Sequence, residues 1–170
     1  MNTWINECPH CGYVASDLDG TVEISEEFLN DESYVTCEGH DFKSDLAKLF
    51  YRGYMILREE NELLGEFYNV LHCAWVCDDA DDELACEMRI IATDLISQLI
   101  EQDPENKENF IVMKADLMRR SGKFNEMIRE YENVYFENDM LNDIITFQIT
   151  KATENDDGCY TIEDVKGGKL

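Results

Sequence analysis

Cys8-Pro9-His10-Cys11-Gly12 sets two thiols two residues apart near the front of the chain. Thiolates at that spacing clasp one tetrahedral Zn²⁺, and glycine after the second cysteine permits the tight turn that aims backbone N–H groups at sulfur. A closed structural site takes four protein ligands. Cys37-Glu38-Gly39-His40 offers a second pair at the same spacing, so the expected metal ligands are Cys8, Cys11, Cys37 and His40, holding a structural zinc. Cys73 and Cys77, one helical turn apart, are alternative donors. Cys73, Cys77 and Cys86 also suit plain helix packing, because a free cysteine behaves as a small buried hydrophobe.

The same stretch supports a competing, catalytic reading. Cys-Pro-His-Cys looks like the active site of disulfide oxidoreductases, where the first cysteine sits at a helix N-terminus. Asp17-Leu18-Asp19-Gly20-Thr21-Val22 resembles the nucleophile motif of haloacid-dehalogenase-type phosphatases, but the stretch before it is too short and polar for the buried strand that chemistry needs. Asp17 to Glu26 also matches the later part of an EF-hand loop, with Ala15 standing where the first oxygen ligand belongs. A metal- or thiol-dependent enzyme using residues 8–22 is therefore the alternative to a noncatalytic protein. Asp78-Asp79-Ala80-Asp81-Asp82-Glu83 has the charge of a cation site, yet acids at the front of a following helix favour its dipole. His72, on an apolar helix, reads as a packed or surface histidine. The sequence offers no glycine-rich phosphate loop and no nucleophile that can be placed beside a base.

The elements that must position these groups are helical. From Asp41 onward apolar residues recur with a 3.6-residue period. One stripe is Leu46, Leu49, Phe50, Tyr54 and Leu57; a second is Leu63, Leu64, Phe67, Leu71, Ala74 and Trp75. Others follow over 84–99, 110–118 and 124–134, and a sixth runs through Leu141, Ile144, Ile145, Gln148 and Ala152. Short connections favour antiparallel neighbours. The expected fold is all-α, with helix pairs resembling a tetratricopeptide array or a helical bundle. Residues 111–134 carry that repeat best, with Ala115 in the small-residue slot, Gly122 in the turn and Phe124 after it. Three parts are expected: a loop-rich knuckle segment over 1–41 with a short helix after Ser25, a helical domain over 42–155, and a partly loose polar tail over 156–170.

Charge limits the partners. The 170 residues hold 38 acidic against 14 basic side chains, a net charge of −24. Such a surface repels phosphate backbones and anionic lipid, so generic nucleic-acid and membrane binding are disfavoured. The front of the chain lacks the basic and apolar regions of a secretory signal, and seven cysteines without such a signal read as reduced thiols or metal ligands. A cytoplasmic location is expected. Residues 1–42 contain no lysine or arginine, whereas Lys114, Arg119, Arg120, Lys123 and Arg129 cluster late in the chain and suit an acidic segment of a partner. An acidic chain could also mimic nucleic acid, which would require regular carboxylate spacing on one face.

Cys-Pro-His-Cys-Gly-Tyr at 8–13, Ala74-Trp75-Val76-Cys77-Asp78-Asp79, and the run Lys114–Phe124 together resemble a bacterial family that joins an N-terminal CPxCG zinc knuckle to tetratricopeptide-like helices. The resemblance spans roughly residues 6–155, with Lys114 standing where that helical repeat expects an apolar residue. It implies a cytoplasmic bacterial scaffold with Cys8 and Cys11 on zinc, and it implies no activity. The expected function is a noncatalytic, zinc-stabilised scaffold for protein–protein interaction.

Overall fold

The computed structural model describes residues 5–19 and 23–167. Among these the chain forms nine helices and one pair of two-residue strands, an all-α protein. It divides into two compact units, Met1–Met88 and Arg89–Leu170.

In the first unit, β1 (Asn6–Glu7) and β2 (Val14–Ala15) pair antiparallel, Asn6 opposite Ala15 and Glu7 opposite Val14. Alternation then turns Val14 and Ile5 inward. Two short helices follow. α1 (Glu26–Leu29) begins at Ser25, whose Oγ accepts from Phe28 N at 3.1 Å. α2 (Glu32–Thr36) begins at Asp31 and ends at Cys37, which adopts φ 54°. That left-handed residue turns the chain and buries the Cys37 side chain.

α3 (Asp45–Glu59) and α4 (Leu63–Asp79) pack against each other across a three-residue connection in which Asn61 takes φ 60°. Asparagine tolerates this conformation better than most residues, so the turn stays tight and the neighbours run antiparallel. Phe50, Ile56, Phe67, Val70 and Ala74 fill the core between them. The acidic run after α4 is architectural. Asp82 is buried, its Oδ1 accepts from Leu84 N at 3.1 Å, and its Oδ2 accepts from Lys43 N at 2.8 Å. One carboxylate thus starts α5 (Leu84–Gln102) and ties down the 42–43 loop.

The second unit uses helices of the same kind. α6 (Lys107–Arg120) and α7 (Phe124–Tyr131) are joined at Gly122, φ 74°, a value glycine adopts without strain. α8 (Asp139–Thr153) packs on both. Ala115, Met118, Met127, Tyr131, Ile145 and Ala152 share one buried cluster. The segment expected as a loose polar tail contains α9 (Ile162–Gly167), with Val165 buried. Arg119, 0% exposed, ties the strap before it: its Nη1 donates to Asp156 O at 2.7 Å and its Nη2 to Gly158 O at 2.9 Å. Arg52, Arg89 and Arg119 are all buried, unusual for so short a supply of cations.

Candidate functional site

The knuckle is the turn between β1 and β2. Cys8 N donates to Tyr13 O at 2.8 Å and Gly12 N to Cys8 O at 2.9 Å, which closes residues 8–13 into a tight loop. Gly12 sits at φ 73°, a left-handed conformation that strains any residue with a Cβ. Backbone N–H groups of His10 and Cys11 point at the Cys8 sulfur, and the Cys11 thiol lies beside it. These donors stabilise a thiolate and hold Cys8 below the ordinary thiol value. Cys11 is exposed and Cys8 partly so.

Two side chains hold this turn from within. Tyr34 Oη and Arg52 Nη2 each donate to Gly12 O at 2.7 Å, and Arg52 Nη1 donates to Glu7 Oε1 at 2.7 Å. The Arg52 guanidinium lies 4.5 Å from the Tyr34 ring centre. Burial pushes the Tyr34 hydroxyl up to about 12, so it remains a donor at neutral pH.

The other expected ligands are engaged elsewhere. Cys37 is buried, with Sγ 3.9 Å from Lys48 O, and burial raises its thiol. The His40 ring stacks 5.6 Å from Phe42, its Nε2 is 3.4 Å from Glu87 Oε1, and its Nδ1 is 3.2 Å from Glu38 O. Cys73 and Cys77 are both fully buried, and Cys73 Sγ meets Ala47 O at 3.3 Å. The neighbouring Cys77 thiol, then burial, push Cys73 far above the ordinary thiol value. Among the described residues no three His, Cys, Asp or Glu side chains are gathered as a metal site requires. Cys8 and Cys11 fit zinc as two soft, adjacent donors, half of a tetrahedral set.

No family model, no curated protein and no solved structure matches this chain.

The catalytic alternatives find the following groups. Cys8 lies in a β-turn and not at a helix N-terminus, where the oxidoreductase resemblance would put it. Asp19 N donates to Asp17 Oδ1 at 2.9 Å, an Asx turn at an exposed site. Gly20, Thr21 and Val22, which complete both the phosphatase-like and the calcium-loop motifs, lie outside the described residues. The only sheet among the described residues is the two-residue pair, far from a doubly wound α/β framework.

The late cationic cluster is not one surface. Arg119 is buried: its Nε donates to Gln148 Oε1, and its Nη2 also donates to Asp116 Oδ1 at 2.9 Å. Lys114 Nζ is 2.6 Å from Glu130 Oε1 beside a groove of about 300 Å³ floored by Ile100, Ile111 and Val134. Arg129 is exposed, and Arg120 and Lys123 are partly so.

A second groove lies in the first unit. It has about 270 Å³ of space and is lined chiefly by Val14, Phe50, Ile56, Leu57, Tyr68 and His72. Burial depresses the His72 imidazole, which packs 5.2 Å from Phe50 and 5.1 Å from Trp75. Alongside it, Leu64, Tyr68 and Trp75 stand 47%, 39% and 42% exposed. Their spacing puts them in one stripe along α4. Sequence periodicity assigned Leu64 and Trp75 to the core. Since α4 is apolar on most of its circumference, the pattern could not tell its inner from its outer face. No helix among the described residues is long and apolar enough to cross a membrane.

Proposed function

We propose that the chain is a noncatalytic helical scaffold for protein–protein interaction, with a structural zinc at the Cys8–Cys11 knuckle. The observation that carries the scaffold reading is the exposed Leu64–Tyr68–Trp75 stripe beside the apolar groove. Exposed aromatics next to a pocket are the side chains that supply binding energy when a partner dries them. Zinc would be held by the two thiolates and would cross-link the turn that Arg52 and Tyr34 position. Membership of the bacterial CPxCG family and a cytoplasmic location belong to the same reading. An acidic segment as partner would have to rely on Lys123 and Arg129, because Arg119 and Lys114 are engaged internally.

The test is affinity purification from native cells with wild type and with Tyr68→Asp/Trp75→Asp. A protein retained by wild type and lost with the double variant, at similar melting temperature, is the expected result. Identical captured proteins would overturn the α4 surface. Phosphate release by wild type that vanishes in Asp17→Asn/Asp19→Asn would overturn the noncatalytic assignment.

A further inference from the structure

We propose that the zinc is shared between two copies of this chain, each contributing Cys8 and Cys11 to one four-sulfur site. This rests on the zinc reading above and adds the identity of the partner. Ligand arithmetic carries it: a closed structural site takes four protein ligands, and this chain brings two together.

Most of the remaining candidates have partners of their own, and His10, exposed on the same turn, is not gathered with the two thiols as a third donor among the described residues. Cys37 is buried against Lys48 O, Cys73 against Ala47 O beside Cys77, and His40 between Phe42, Tyr51 and Glu87. Glu7, next to Cys8, gives its Oε1 to Arg52. The residues outside the description, 1–4, 20–22 and 168–170, contain no Cys, His, Asp or Glu. Drawing Cys37 to the knuckle would require pulling a buried thiol out of its packing.

The knuckle is shaped for such a contact. Cys11 is exposed, and the turn beneath it is fixed by Tyr34 and Arg52 on Gly12 O. Two copies related by a two-fold axis present the same donors to one ion, so the site is symmetric and closes. Four thiolates leave net negative charge around a divalent ion. On each side the Arg52 guanidinium, shared with Glu7, is bonded to Gly12 O next to Cys11.

The test is light scattering coupled to size exclusion, with elemental analysis, in a phosphine reductant that prevents disulfides. Wild type loaded with Zn²⁺ should run at twice the monomer mass with about one zinc per two chains. Chelator should return it to monomer. Co²⁺ titration should reach its thiolate-to-cobalt absorption endpoint at about half an equivalent per chain. Cys8→Ser/Cys11→Ser, checked for unchanged far-UV dichroism, should lose both metal and dimer, while Cys37→Ala and His40→Gln keep both. A monomer with one zinc per chain would overturn the shared site and leave the zinc reading standing. No binding of zinc or cobalt by wild type would overturn both.

Discussion

Arg52 reaches from α3 to the carbonyl of Gly12 and stacks on Tyr34; Arg119 reaches from α6 to the carbonyls of Asp156 and Gly158 and faces Tyr160 at 5.4 Å. Each fastens an irregular segment of its own unit to a helix. The fastening differs in completeness. Arg119 is sealed, and its Nε, Nη1 and Nη2 serve four acceptors: Gln148, Asp116 and the two strap carbonyls. Arg52 has one carboxylate and one carbonyl, and its Nε is buried without an acceptor among the described residues. A complete clamp closes a strap into the core. An incomplete one positions a turn yet leaves Cys11 exposed and Cys8 partly so.

The largest expected effect is on Arg119. Arg119→Met leaves the strap carbonyls without their donor and Asp116 with only Gln148 Nε2, and breaking a network built on a fully buried charge costs about 3–5 kcal/mol. Urea unfolding followed by far-UV dichroism measures it. Arg52→Met should cost less, about 1–3 kcal/mol, because Glu7 can turn to water. Both tryptophans, Trp4 and Trp75, lie before residue 88, so fluorescence follows this change in the first unit. Equal losses for the two variants would break the comparison.

Gly12→Ala comes next, at about 1–2 kcal/mol for forcing a Cβ into left-handed backbone. The added carbon would also lie 3.1 Å from Arg52 Nη2, so the variant tests knuckle and clamp together. A melting temperature matching wild type would show that the turn is not held as described.

The smallest effect is one of pH. The Tyr160 hydroxyl, then the Gly158 N–H and Lys151, hold the Asp156 carboxyl down at about 2. A depressed carboxyl contributes stability that is fully present above its unfolded value, ~3.9, and disappears as pH falls toward the folded one. Asp156→Asn should therefore lose that contribution at neutral pH and flatten the acid limb of the unfolding curve between ~pH 4 and ~pH 2, so that the two proteins converge at the acid end. An unaltered acid limb would remove Asp156 from the strap's account.

The helices were legible because their apolar period is strong, and the turns at Gly12 and Gly122 because glycine marks left-handed backbone. Which face of a helix is inside was read less well. Ala47, not Leu46, takes the buried slot on α3. The two-residue strands are too short to show alternation, and α2 carries little apolar pattern. By charge alone Arg119 counts among the surface cations, although the sequence carries a signal for its burial. It lies four residues after Ala115 on the same face, and Gln148 interrupts the apolar stripe of α8. Two polar residues on two apolar faces are a buried pair in waiting, and here they bond. Of the expected ligands, Cys8 and Cys11 are local in sequence and come together. The positions of Cys37 and His40 depend on the left-handed turn at Cys37 and on aromatic stacking, which ligand spacing does not encode.

Withdrawing Arg52, Arg89 and Arg119 from the surface leaves the outside even less balanced than 14 cations against 38 anions suggests. The folded shell is then a self-repelling one, strained by its own field at low ionic strength. Raising salt from 0.01 M to 0.15 M shortens the Debye length from ~30 Å to ~8 Å and relieves that strain, whereas the sealed Arg119 network is screened far less. Added salt should thus raise the melting temperature, the reverse of what a protein held by surface ion pairs would show.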